Sequence, residues 1–147
     1  MATHLTVRSS YSLLNGLMSI SDIVQLSKQA GYGACVLSDY HVLHGALDFQ
    51  KEAQKHGLKP IFGMECTFTH DGITFNSNLI AKDVAGYQKL MAVSKVLSDH
   101  GEIALEEAYH PGLILILFGE NGPFDGFYAN NDTKAMAHTL QSIKALG

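Results

Sequence analysis

The sequence contains no tryptophan, three prolines and two cysteines, and charged residues make up 16% of it. Cys35 and Cys66 each lie inside an apolar run and far from any Cys-x-x-Cys spacing. That placement excludes a disulfide framework and a zinc knuckle, and it fits buried, reduced thiols in a cytoplasmic protein. No window approaches about twenty apolar residues. The opening Met-Ala-Thr-His-Leu-Thr-Val-Arg also lacks the apolar stretch of a signal peptide, so a cytoplasmic protein without a membrane partner is expected. Basic residues are in deficit too: ten Lys and Arg stand against fourteen Asp and Glu, a formal net charge of −4. Such a balance repels a phosphate backbone, so this chain is not expected to be what grips DNA. GxSxG, P-loop, GxGxxG and HExxH motifs are all absent, which leaves nucleophilic hydrolase, nucleotide-binding and zincin readings without support.

What is present is a well-patterned globular sequence, 46% hydrophobic over 147 residues and free of internal repeats. Leu5 and Val7 alternate within His4 to Arg8, which predicts a first strand before the break at Ser9 and Ser10. Ser19 and Asp22 have capping-box spacing, and the apolar period that follows predicts a helix over about 22–30, stopped by Gly31 and Gly33. Ala34-Cys35-Val36-Leu37 reads as a strand covered on both faces. Ala46, Phe49 and Ala53 predict a helix closing at His56-Gly57, and Pro60 opens a short strand at Ile61-Phe62. Glu65 to Phe68 and Ile73 to Ala81 flank His70-Asp71-Gly72, a hairpin signal. Tyr87, Leu90, Met91, Ser94 and Leu97 share a helix face that Gly101 ends. Leu113 to Phe118, the most apolar run, is expected to be a central strand, and a terminal helix is expected from Asp132 or Thr133 onward.

Strands alternating with helices predict an α/β fold with a mostly parallel sheet and helices outside, either open or part of a barrel. Ligands in such folds meet the C-terminal ends of strands, here Arg8 to Ser10, Ser38 to His41 and Gly63 to Glu65. Asp39 follows a strand and stands beside His41 and His44, so a carboxylate and two imidazoles offer metal ligands. The same spacing fits an aspartate capping the next helix with two histidines on its exposed first turn. Glu65 is either a second carboxylate ligand or a charge reaching water. His4 fits a hydrogen-bonded imidazole, His56, His100 and His110 fit helix or strand termini, and His138 fits a helix face. His70 at the hairpin tip is expected to be solvated.

The stretch His4-Leu5-Thr6-Val7-Arg8-Ser9-Ser10-Tyr11-Ser12-Leu13-Leu14-Asn15-Gly16 resembles the opening of bacterial DNA polymerase III alpha subunits, whose pattern is close to H-L-x-V-H-S-x-Y-S-L-L-D-G. The likeness continues through Leu37 to Ala46, Lys59 to Glu65, Leu79 to Lys82 and Gly86-Tyr87, and more faintly through Gly112 to Leu117. The resemblance implies the PHP (polymerase and histidinol phosphatase) superfamily: a distorted β/α barrel with a metal cluster at the strand C-termini. In its metal-dependent members, an H-x-H on strand one, a T-D-H after strand two, a Glu after strand three and further His and Asp residues hold the ions. At the corresponding positions this chain has Thr6 and Arg8, then Ser38-Asp39-Tyr40, and Asn76 where a further histidine is expected. A guanidinium has no lone pair for a metal and repels a cation. Arg8 is instead expected to pair with Asp39 or with Glu65.

This eroded pattern resembles alpha subunits of Gram-positive type. A β/α barrel takes about 250 residues. The expectation is therefore a single PHP-like domain over 1–147, the truncated N-terminal part of a larger polymerase chain forming a partial or distorted barrel with one hairpin. A short complete gene product with altered closure is the alternative. The resemblance implies a catalytically silent structural or docking segment that needs no cofactor of its own, within a parent DNA-directed DNA polymerase that uses Mg. Its partners are the remaining polymerase domains and replisome proteins, and DNA is met through the parent. Two other readings stay open. One is a phosphoesterase or proofreading exonuclease holding Zn or Mn on Asp39, Glu65, His41 and His44; the other is a stand-alone interaction module.

Overall fold

The computed structural model describes residues 3–12 and 16–146. Leu13, Leu14 and Asn15 of the family-like opening stretch lie outside the described residues. Helix α1 (Ile20–Gln29) starts at Ser19, whose hydroxyl accepts from the Asp22 amide while the Asp22 carboxylate accepts from the Ser19 amide, the reciprocal box expected from the spacing. Strand β1 (Ala34–Tyr40) and helix α2 (Ala46–Lys55) follow. The two short runs expected at Ile61-Phe62 and Glu65–Phe68 are one continuous strand, β2 (Lys59–His70). Gly63 joins them: a Cβ there would lie 2.5 Å from Ile80 Cδ1 and 2.9 Å from the Leu79 carbonyl oxygen, so only a bare backbone passes. Asp71 (φ 48°) and Gly72 (φ 77°) turn the chain tightly into β3 (Ile73–Ala81), as the Asp-Gly signal predicts. Helix α3 (Val84–His100) is capped by Asp83 at one end and by left-handed Gly101 at the other. The chain closes with β4 (Ile103–Ala104), α4 (Leu105–Ala108), β5 (Leu113–Leu117), α5 (Asp125–Ala129) and α6 (Thr133–Lys144).

The sheet order is β1-β2-β3-β5, with β4 continuing the β1 side of β2. β1 and β4 run parallel to β2, while β3 is antiparallel to both β2 and β5. Among the described residues all strands but β3 therefore point the same way, which is the mostly parallel α/β arrangement expected. Register assigns the two faces. Cys35, Leu37, Met64, Cys66, Phe68 and Leu79 share the face packed by α1, α2 and α3 through Val24, Phe49, Leu90 and Val93. Leu115 and Ile143 extend that apolar layer toward α6. The opposite face carries Ser38, Tyr40, Glu65, Thr67, Asn76 and Asn78, and Leu5 to Arg8 lies over it.

Two sequence expectations are corrected. His4 to Arg8 forms no strand: the Ser38 amide donates to the Val7 carbonyl at 2.8 Å, but the Val7 amide turns to the Ser38 hydroxyl at 3.0 Å, and this side-chain bond replaces the next rung of a ladder. Leu113 to Leu117 lies at the sheet edge, paired to β3 alone among the described residues, with Ile114 47% exposed. Its apolarity comes from Leu113, Leu115 and Leu117, which pack against the core cluster, and a hydropathy run does not distinguish this from being flanked by strands on both sides.

Candidate functional site

The C-terminal end of β1 and the middle of β2 meet the segment 8–12; Gly63 to Glu65, expected to end a strand, lie inside β2 because that strand runs on to His70. Asp39 is 1% exposed. One of its carboxylate oxygens accepts from the Ser9 amide at 2.7 Å and the Ser12 hydroxyl at 2.7 Å, and the other accepts from the Ser9 hydroxyl at 2.8 Å. Ser12 Oγ also accepts from the Tyr40 amide at 3.0 Å, so Asp39 pins the opening loop to the end of β1. Three donors on a buried carboxylate satisfy most of its lone pairs and offset its desolvation.

Glu65, also 1% exposed, meets Arg8: Nε donates to Oε2 at 2.7 Å and Nη2 lies 2.5 Å from the same oxygen. Of the two partners the sequence allowed for Arg8, the structure selects Glu65. Strand alternation is the reason. Asp39 pairs in register with Met64 and Tyr40 pairs with Glu65, so the two carboxylates point to opposite faces of the sheet. Across the next strand Glu65 is in register with Asn78, whose Nδ2 donates to the Leu5 carbonyl at 2.9 Å.

Beyond the ion pair, Tyr40, His41, Thr67 and Asn76 form one polar cluster. The Thr67 amide donates to His41 Nε2 at 3.2 Å, which requires that nitrogen to be unprotonated. Thr67 Oγ1 lies 2.9 Å from the same nitrogen and 3.0 Å from the Tyr40 hydroxyl, and it donates to Asn76 Oδ1 at 2.9 Å. Tyr40 and His41 stack with ring centroids 3.8 Å apart. Burial lowers the His41 pKa, in keeping with a neutral ring. His41 has φ 61°, a left-handed conformation held by its amide on the Glu65 carbonyl at 2.9 Å and by Ser94 Oγ on its own carbonyl at 2.8 Å. Thr6 and His44 are exposed, and neither has a side-chain partner among the described residues.

The structure thus brings Arg8 to Glu65, and Tyr40 and His41 through Thr67 to Asn76, while Asp39 stands apart and exposed His44 bonds to none of them among the described residues. Sequence reasoning missed Thr67, Ser9 and Ser12. Thr67 had a signal, since it lies two residues beyond Glu65 on the same strand face. The hydroxyls that bracket Asp39 had none. Among the described residues no three His, Cys, Asp or Glu side chains converge as metal ligands. The donor set fits an ion poorly for a chemical reason: Glu65 faces a permanent cation, Asp39 is occupied by three donors, and the His41 Nε2 lone pair is held by a backbone amide.

The PHP domain profile matches residues 4–147. The chain belongs to the PHP domain family. Its curated relatives include DNA polymerase III subunit alpha of Bacillus subtilis, 36% identical over 126 residues covering 81% of this chain and 11% of that protein. The same subunit of Aquifex aeolicus is 31% identical over 164 residues, covering 96% of this chain and 14% of that protein. This PHP chain therefore spans a small part of the relatives it matches. Among solved structures, a candidate metal-dependent phosphoesterase from Bifidobacterium adolescentis aligns with TM-score 0.55 and 12% identity, over 66% of this chain and 33% of that one. An amidohydrolase from Chromobacterium violaceum with bound sulfate and no metal aligns equally well, at 18% identity over the same shares. These two support the fold alone.

Proposed function

We propose that this chain is the PHP segment of a bacterial DNA polymerase III alpha polypeptide, cytoplasmic, and that it acts as a structural and docking module without catalysis of its own. The observation that carries the reading is the Arg8–Glu65 ion pair: a cation supplied by the chain occupies the carboxylate that a metal centre would use. Asp39, the other ligand-type residue, ties loop to strand instead. On this reading the four positions Thr6, Arg8, Tyr40 and Asn76 have exchanged coordination for hydrogen bonding and packing, the segment holds no cofactor, and Mg belongs to the parent polymerase.

The docking half of the proposal rests on the end of the sheet where β2 and β5 begin and β3 stops. A groove of about 820 Å³ there is lined by Leu5, Leu47, Ile61, Ile80, Val84 and Ile114, with Leu47 61% and Val84 74% exposed. Contiguous apolar surface of this kind marks a contact site. The relatives are many times longer than this chain, which makes neighbouring domains of the same polypeptide the proposed occupant and replisome proteins further partners. DNA is then reached through those domains and not through this acidic piece. No helix among the described residues is long and apolar enough to cross a membrane.

The test is metal analysis of protein purified without chelator, with phosphoesterase assays in Mn and Zn. Substoichiometric metal and no turnover are expected. Stoichiometric metal together with activity that Asp39→Ala abolishes would establish the phosphoesterase or exonuclease alternative, with Asp39, Glu65, His41 and His44 in a rearranged site. The parent is tested separately: a reading frame that continues into acidic palm motifs supports it, and one that stops leaves a stand-alone interaction module.

A further inference from the structure

We propose that the protein carries a pocket for a medium-chain aliphatic carboxylate, bordered by α4, β5 and α6 and separate from the Arg8–Glu65 pair. The cavity measures about 420 Å³ and is walled by Leu115 of β5, Leu105 of α4, and Leu140 and Ile143 of α6. That size falls within the roughly 300–1,000 Å³ of small-molecule sites, and an apolar lining with a few polar groups is their usual composition.

The polar groups define the headgroup. Among the described residues no Asp or Glu lines this cavity; its ionisable lining residues are Tyr109, His110 and Lys144. Lys144 makes no ion pair among the described residues. His110 Nδ1 accepts from the Gly112 amide at 2.9 Å, which leaves the ring proton on Nε2 as a donor. A lysine, a tyrosine and a histidine among the lining residues of an apolar chamber complement an anionic head on an alkyl chain, and they disfavour a cationic one.

The walls are braced before any ligand enters. His70, at the end of β2 and with 2% of its side chain exposed, binds Glu106 of α4 through Nδ1 and lies 2.9 Å from Ser142 Oγ of α6 through Nε2. One buried imidazole thereby holds both helices that close the cavity, and His70, expected from the sequence to be solvated, takes this role because α4 and α6 fold over the hairpin end. Walls already tied together in this way lower the ordering cost that a ligand must meet.

Calorimetric titration of the 147-residue protein with octanoate and decanoate, below their micellar concentrations, tests the proposal, with decan-1-ol and decyltrimethylammonium as neutral and cationic controls. One saturable site is expected. Decanoate should bind about 15-fold tighter than octanoate, since two methylenes contribute roughly fourfold each. Decanol should bind more weakly than decanoate, and the cation not at all. Lys144→Gln should weaken decanoate about threefold or more without changing decanol. Leu140→Trp, at a helix position 37% exposed, should fill the chamber and abolish binding while far-UV circular dichroism is retained. Absence of saturable decanoate binding overturns the proposal, as does equal affinity for decanol, or full binding in a folded Leu140→Trp protein. If Leu140→Trp does not fold, the Lys144→Gln comparison decides on its own.

Discussion

Removing the Arg8 side chain leaves Glu65 as a carboxylate 2% exposed with no cation beside it. Breaking a fully buried ion pair from one side costs about 3–5 kcal/mol, and an exposed pair is worth about 0–1 kcal/mol. Arg8 is 34% exposed and Glu65 is not, so the expected cost of Arg8→Ala lies between those limits, at about 2–3 kcal/mol. Glu65→Gln keeps the volume and removes the charge, leaving the half-exposed guanidinium free to reach water, and should cost about 1 kcal/mol. The double variant escapes the uncompensated charge. Urea denaturation of the four proteins should therefore return a coupling energy of about 1–2 kcal/mol between the two sites. A coupling near zero, with Arg8→Ala costing less than about 0.5 kcal/mol, would refute the view that the guanidinium stands in for a metal at Glu65.

Other consequences are open to measurement. Arg8→His places a lone-pair donor beside Glu65, and bound Zn or Mn measured after dialysis should rise above that of the parent protein; unchanged metal content would show that the guanidinium is not what keeps metal away. Asp39→Ala strands the hydroxyls of Ser9 and Ser12 and should destabilise by more than about 3 kcal/mol in denaturant melts while leaving metal content as it was. His41 has a folded pKa below its ordinary value of 6.5 because burial disfavours the imidazolium. The unfolded chain therefore takes up the proton first, and stability should fall as pH drops from about 6.5 through the folded pKa. His41→Asn, which tolerates the left-handed backbone, should flatten that slope in melts between pH 7 and 5. Burial pushes the Cys35 thiol up to about 11 and Cys66 well above its usual value, so a thiol reagent at pH 8 should label neither until denaturant is added.

Much of the local architecture is legible from residues alone, because caps and turns are decided within a few positions. Ser19 with Asp22, Asp71-Gly72 at the hairpin and Gly101 after α3 all sit where backbone chemistry requires them. That Arg8 cannot itself ligate a metal is likewise legible from the sequence, since no conformation gives a guanidinium a lone pair.

What the tertiary structure decided was which groups meet. Arg8 had two candidate carboxylates, and only the register of β1 on β2 turns Glu65 toward it and Asp39 away. The run at Leu113 promised a central strand and became an edge, and the expected strand at His4 became a strap held by Ser38. His70 lies beside a hairpin turn yet is buried, because α4 and α6, distant in the chain, close over it. Periodicity records how a segment faces its own neighbours along the chain. Partners brought from thirty or seventy residues away leave no mark in it, so burial and pairing of such polar groups follow from packing alone.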